Sequence, residues 1–391
     1  MRVVDITSFF SDSCGGIKTY YRQKARFLPE LGFDCHFVVP GRTAGSEPFG
    51  GGTLHRLAGP PLPGNSNYRL FGARAKVAEL LRRLAPDVVE VGSHYLLPRW
   101  VTEAVADLHP RCAVVGFFHS DIPRTLVEPM VRWLPPGLRR AALAAAWRFV
   151  RRRHQLYAAT LVASRELVET LGHLEIPRVR WVGLGVDVGL FRPAPVRAGV
   201  ELGLASVPVV AYSGRLAREK GFLTLLRAWD AIAAATGAAL HVAGDGPCRK
   251  QLARLVATRS DVVDRGCFQR PSDVAAFLAA ADVVVAPGAT DTFSLSTAEA
   301  LACETPVVAP DSGGAGELVA RSDGGALFRD GDAGALAAAV TRLLRSPASD
   351  RLAIGRRGRA HVVGQFAWPI VARRLRDEYQ RARGELGRRA A

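Results

Sequence analysis

The chain has 391 residues, 48% of them hydrophobic and 8% aromatic, and a formal charge of +16 carried almost wholly by arginine, because only five of its 52 basic residues are lysines. That composition excludes a disordered chain, and the length favours two α/β domains over a single core. No run of 18 apolar residues marks a membrane-spanning helix, and the six scattered cysteines form neither a CxxC pair nor zinc spacing, so a reduced, cytoplasmic compartment is expected.

The N-terminus enters an apolar strand directly at Val3-Val4-Asp5-Ile6, without a signal-peptide pattern. Short β-branched runs predict strands at residues 2–7, 35–39, 53–57, 87–91, 112–118, 160–163 and 179–182. After a Pro-rich segment, Phe191-Arg192-Pro193-Ala194-Pro195, they resume at 207–212, 240–243, 261–264, 282–286, 306–309 and 326–328. Ala/Leu/Arg stretches of helical period lie between them, which argues for parallel sheets covered on both faces. The prolines favour an extended linker, so the expected domains are 1–195 and 196–365, with a closing amphipathic helix in 366–391. Open parallel sheets bind ligands beyond the carboxyl ends of their strands, and two of them suggest a cleft with one ligand on each side.

The loops after the strands carry the candidate chemistry. Residues 12–20 superficially suggest a nucleotide-binding P-loop, but Ile17 separates Gly16 from Lys18 where glycine and lysine must adjoin. Gly15 and Gly16 still permit a close backbone approach by a diphosphate or an acceptor. His119 ends the strand at 112–118. With Ser120 and Asp121 it makes no hydrolase triad, because no GxSxG elbow is present. Residues 132–153 read as a basic helix bearing Trp133, Trp147 and Phe149: either attachment to an anionic membrane or a core helix with solvated arginine ends.

In the second half, Arg215 and Lys220 fit a leaving diphosphate without a metal, or are two solvated surface cations. Gly244-Asp245-Gly246-Pro247 turns from a strand towards a helix that Pro247 is placed to start. The most informative stretch is 286–302. A buried strand ends at Ala286, a polar loop follows, and a helix begins near Ser294, with Thr292 or Ser294 as its expected cap. First-turn amides around Leu295 and Ser296, with the helix dipole, suit a diphosphate. Glu299, further along that helix, is suited to two ribose hydroxyls, or is an ordinary surface glutamate.

Taken in order, Gly15-Gly16, His119, Gly185-Val186-Asp187 with Phe191-Arg192-Pro193, Ser213-Gly214-Arg215 with Lys220-Gly221, Gly244-Asp245-Gly246-Pro247, and Phe366-Ala367-Trp368 resemble glycosyltransferase family 4. The strongest match is residues 287–310, where Asp291 and Glu299 hold an acidic-x7-acidic spacing followed by Ala300-Leu301-Ala302 and Pro306-Val307-Val308. That family includes sucrose-phosphate synthases and phosphatidylinositol mannosyltransferases. The resemblance implies an α/β GT-B fold, two Rossmann-like domains with parallel sheets facing across a cleft. It implies retaining, metal-independent transfer of a hexose from a UDP- or GDP-sugar to a hydroxyl on a lipid, glycan or small molecule, with no further cofactor. His119, Arg215, Lys220 and Asp291 take catalytic positions. Gly16, Gly214, Arg215, Lys220, Ser294, Leu295, Ser296 and Glu299 take donor-binding positions.

Three departures stand out. Asp291 replaces a usual glutamate, Ser294 a usual glycine, and Cys303-Glu304-Thr305 a usual small-residue turn. The first two fall at the sugar pocket and bear on which sugar is carried. The alternatives are a nucleotide-sugar epimerase of the same fold, which converts donor without acceptor, or a non-catalytic nucleotide-sugar-binding protein. No recognisable DNA- or RNA-binding module accompanies the charge, so nucleic acid is not an expected partner.

Overall fold

Valine-rich runs such as Val88-Val89 and Val283-Val284-Val285 are too short for a stable helix and too apolar to face water. In the computed structural model of the chain they are central strands of parallel sheets, buried on both faces. The structure describes residues 1–10, 16–62, 65–93, 96–108, 112–193 and 207–390. These pack as two units, Met1–Gly185 with Trp368–Ala391, and Val186–Ala367.

The first unit holds strands β1 (Arg2–Ile6), β2 (Asp34–Gly41), β3 (Gly45–Phe49), β4 (Gly52–Ala58), β5 (Pro61–Leu62), β6 (Asn65–Arg69), β7 (Val88–Val91), β8 (Ala113–Phe117), β9 (Ala159–Val162) and β10 (Val179–Trp181). Its main sheet runs β10-β9-β8-β7-β1-β2-β4-β3. Every pairing is parallel except β3 with β4, and β5 and β6 form a separate antiparallel pair. Residues 45–49 gave no strand signal, because Gly45-Ser46-Glu47-Pro48-Phe49 is polar and mostly exposed. A proline is tolerated there because β3 is an edge strand.

The helix Trp368–Ala390 belongs to this unit and packs on the helix Gly16–Phe27 and on β8. A buried charge cluster joins them. Lys24 Nζ donates to Asp5 at 2.8 Å, to Glu90 at 3.2 Å and to the Tyr379 hydroxyl at 2.7 Å. Tyr379 in turn donates to Glu90 at 2.6 Å, and Tyr20 to Glu90 at 3.2 Å. Burial, then the Glu90 charge, pushes the Asp5 carboxyl well above its ordinary range. Burial also works to raise Glu90, but Lys24 and the surrounding hydrogen bonds hold it below its ordinary value.

The second unit holds β11 (Val209–Ser213), β12 (Ala239–Ala243), β13 (Val262–Gly266), β14 (Val283–Val285), β15 (Val307–Pro310) and β16 (Gly325–Phe328), all parallel, in the order β13-β12-β11-β14-β15-β16. This is the doubly wound Rossmann order, whose direction reverses between β11 and β14. Phe222, Leu225, Trp229 and Ile232 of the helix Phe222–Thr236 and Leu336, Val340 and Leu343 of the helix Ala333–Arg345 cover one face. Each such side chain contributes about 1.5–3 kcal/mol by leaving water.

The expected domain boundary at 195 falls in 194–206, outside the described residues. The packed units divide earlier, after Gly185, because the Val186 amide donates to the Phe366 carbonyl at 2.7 Å and Val186 bridges to Ala367. Two helix starts also differ. The helix expected across 132–153 begins at Pro136, after a separate short helix Glu128–Val131. The helix after Pro247 begins at Arg249.

Candidate functional site

Ligands of a doubly wound sheet sit where strand order reverses, beyond the carboxyl ends of the two strands concerned. In the second unit those ends are Ser213 of β11 and Val285 of β14, and the loops leaving them are tied together. Thr290 Oγ1 donates to the Glu219 carbonyl at 2.8 Å. The Gly314 amide donates to the Asp291 carbonyl at 2.7 Å. Gly221 sits at φ +66°, and a Cβ there would lie 2.0 Å from the Pro287 carbonyl oxygen, so only glycine lets the loops approach this closely. Lys220 Nζ forms an ion pair with Asp291 Oδ1 as a result.

Arg215 lies on the same turn as Lys220. The Tyr212 hydroxyl donates to the Arg215 carbonyl at 2.7 Å and fixes its backbone. Its guanidinium is half-exposed and meets Glu219 only at 3.6 Å, which leaves it able to swing towards an anion. Gly214 donates its amide to Ala243 at 3.0 Å, and a Cβ on Gly244 would lie 1.9 Å from the Gly214 carbonyl oxygen.

The loop after β14 runs into the helix Leu295–Ala302. The expected side-chain cap is not made by Ser294. That residue is left-handed, at φ +68° and ψ +81°, and its hydroxyl bonds Thr297 Oγ1 at 2.8 Å instead of a backbone amide. The left-handed backbone accounts for the glycine usual in the resembling family, since glycine adopts it without a Cβ penalty. The Leu295 and Ser296 amides have no acceptor among the described residues, the condition under which a helix start binds an anion.

Glu299 is four residues beyond Leu295 and therefore on the same helix face as the open first turn. It is half-buried, and its carboxylate has no hydrogen-bond or ion-pair partner among the described residues. Burial alone raises its pKa to about 8. A half-buried carboxyl group without donors loses part of its hydration and gains nothing from the protein in return.

The first unit has its own reversal of strand order, between β1 and β7. His119, just past β8, is half-buried there. Its ring stacks on Phe117 at 4.1 Å and 9°, and Tyr20 meets it edge-on at 5.0 Å. Gly92, after β7, faces the same imidazole, with room for a Cβ only 3.3 Å from His119 Cδ2. Gly16 opens the helix Gly16–Phe27 and is exposed. Gly15 and most of the loop before it lie outside the described residues.

The structure thus joins Lys220 to Asp291 directly, puts Gly214 and Arg215 on the same loop as Lys220, and strings Ser294, Leu295, Ser296 and Glu299 along one helix start. His119 and Gly16 belong to the first unit. Sequence reasoning missed the Thr290–Glu219 bond that ties the two loops and the Gly314 amide after β15 that holds Asp291, because both use backbone groups that carry no side-chain signature. It also missed Tyr20, whose helix reads as an ordinary amphipathic one. Among the described residues no cluster of three His, Cys, Asp or Glu side chains is placed to hold a metal ion. No described helix is long and apolar enough to cross a membrane.

Residues 14–190 match the family described as Glycosyltransferase Family 4, and residues 207–346 match Glycosyl transferases group 1. The chain is 30% identical to a GDP-mannose-dependent alpha-mannosyltransferase of Mycolicibacterium smegmatis, with all of both chains covered. It is 30% identical to a D-inositol 3-phosphate glycosyltransferase of Thermobispora bispora, over 94% of this chain and 90% of that one. Its fold is similar to that of sucrose-phosphate synthase from Thermosynechococcus elongatus, with a TM-score of 0.77 at 22% identity, covering 97% of this chain and 98% of that one. Two doubly wound α/β units and these full-length likenesses agree: the chain belongs to glycosyltransferase family 4 and is a glycosyltransferase of the GT-B fold.

Proposed function

We propose that the protein moves a hexosyl unit from a nucleotide diphosphate sugar to an acceptor hydroxyl on a lipid or glycan, with retention of anomeric configuration and without a metal. The observation that carries this reading is the partnerless Glu299 carboxylate on the face of a helix whose first amides are also open. A nucleoside diphosphate supplies both complements, ribose hydroxyls for the one and phosphate oxygens for the other.

In this reading the Leu295 and Ser296 amides, Lys220 and Arg215 hold the diphosphate, with Gly214 giving it backbone access. Asp291 gives up Lys220 to the phosphate and takes a hydroxyl of the donor sugar, beside Ser294. His119 and Gly16, in the first unit, are assigned to the acceptor. The sugar–phosphate bond breaks and the acceptor oxygen bonds the same face of the anomeric carbon. The acceptor's proton passes to the departing diphosphate oxygen. Charge grows on that diphosphate in the transition state, where Lys220 and Arg215 act most strongly.

GDP-mannose is the first donor to test, because the mycobacterial relative is named for it, and UDP-hexoses are the second, because a solved neighbour from Anabaena of similar fold holds UDP-glucose. The test is incubation of chelator-treated protein with each donor and lipid or glycan acceptors, with the product's anomeric configuration read by proton NMR. A product with the donor's configuration, formed at an unchanged rate in chelator, is expected. An inverted product, or activity lost in chelator and restored by a divalent ion, overturns the mechanism. Epimer formed from donor alone, or donor binding without turnover, assigns the protein to the other two classes.

A further inference from the structure

The segment between β8 and β9 carries a surface that the transfer site does not use. Pro123–Val127, Glu128–Val131 and Pro136–His154 are successive helical segments packed on one another. Pro123 is buried at the start of the segment, and the far end of the last helix is anchored. Val150 joins Phe118, Val162 and Leu167 in a small apolar cluster, and His154 Nδ1 shares a 2.9 Å hydrogen bond with Thr160 Oγ1. Upstream, Leu126, Met130, Trp133 and Leu138 are 47%, 66%, 78% and 59% exposed. A lone exposed leucine needs no explanation, but large apolar side chains gathered in one stretch mark a contact surface.

The charge around them is predominantly positive. Residues 122–154 hold eight arginines and one glutamate, and Arg139 and Arg140 directly follow Leu138 in the same helix and are exposed. A face of arginines around a projecting tryptophan matches the boundary of an anionic bilayer. The indole body sits among acyl chains at headgroup depth, and guanidinium groups fork onto lipid phosphates while their stems stay apolar. We propose that this face, centred on Trp133, docks the first unit onto an anionic lipid bilayer. The inference does not depend on the donor chemistry above.

The experiment measures partition of the full chain onto vesicles of phosphatidylcholine alone and of phosphatidylcholine with phosphatidylglycerol, at 0.1 M and 0.5 M salt, with brominated lipids as quenchers of tryptophan emission. Binding to the anionic vesicles at the lower salt, with quenching, is expected. Met130→Ser with Trp133→Ser should lower partition by about tenfold or more and remove most of the quenching. Arg139→Gln with Arg140→Gln should lower it by about tenfold or more, at roughly fivefold per charge near the surface. Unchanged melting and unchanged nucleotide diphosphate binding in both variants would keep the loss apart from misfolding and from failure of the donor reading. No binding by the wild type overturns the proposal. So does equal binding by the Met130/Trp133 variant, which assigns the attraction to net charge alone, and so does a dimer dissolved by Trp133→Ser with no vesicle binding, which assigns the face to a second copy of the chain.

Discussion

Lys220 and Asp291 neutralise each other across the two loops that leave the adjacent strands β11 and β14. In the proposed function, a diphosphate arriving at the helix start competes with that aspartate for the lysine. Loss of each partner therefore has a different signature. Lys220→Ala and Arg215→Ala are expected to cut turnover by about a hundredfold or more, because each removes a charge that acts on the leaving group. Asp291→Asn frees the lysine. It should leave nucleoside diphosphate affinity unchanged or higher while turnover with the sugar donor falls. Steady-state kinetics beside calorimetric titration with the bare diphosphate separates the two. Weaker diphosphate binding in Asp291→Asn contradicts the competition.

In the proposed donor site, Glu299 predicts pH-dependent binding. Burial raises the empty site's carboxyl to about 8, so at pH 7 it is mostly protonated. Ribose hydroxyls donate to the ionised form, so binding expels the proton and affinity rises between pH 6 and 8, by up to about tenfold per unit. The same shift acts on stability. Between the unfolded value of 4.5 and about 8 the native state holds more protons than the unfolded chain, so this group's contribution fades as pH rises through that window. Titration calorimetry at pH 7 in two buffers of unlike ionisation enthalpy should report about one proton released. Glu299→Gln should abolish that release and weaken binding by about ten- to a hundredfold, the size of hydrogen bonds to a charged group.

The closeness of the two loops is testable through Gly221. An alanine there meets both a left-handed backbone at φ +66° and a carbonyl oxygen 2.0 Å from its Cβ. Gly221→Ala should cost about 2–4 kcal/mol of stability and displace Lys220 from the site. Chemical denaturation with a donor-binding assay checks both, and a variant with native stability and affinity contradicts the geometry.

The buried lysine of the first unit gives a prediction of pure stability. Lys24 is fully buried against Asp5, Glu90 and Tyr379, a partner 355 residues away in the chain. Lys24→Met leaves the Glu90 charge without its counterion and should cost about 3–5 kcal/mol, whereas Tyr379→Phe should cost about 1–2 kcal/mol. Denaturant titration checks the ranking, and equal losses in the two variants would contradict it.

What the sequence made legible follows from where its physics is local. The β-branched runs revealed every central strand, and the strand-loop-helix units after β11 and β14 were readable from valine runs that give way to glycines, charges and a helix start. The β3 edge strand was hidden because an exposed strand needs no apolar alternation. The Lys24 cluster was hidden because Asp5, Glu90 and Tyr379 come from three segments distant from its own helix. Ser294 was read as a cap from its residue type alone, and its positive φ, set by the loop that must bring Asp291 to Lys220, moved its hydroxyl elsewhere.

The central claim is that the open end of the β11–β14 crevice holds a nucleotide sugar, and a crystal structure with a bound nucleoside diphosphate tests it most directly. The account predicts phosphate oxygens on the Leu295 and Ser296 amides, Lys220 turned from Asp291 towards them, and both ribose hydroxyls on Glu299. A nucleotide seated elsewhere, with the Lys220–Asp291 pair intact and Glu299 still unpartnered, would contradict it.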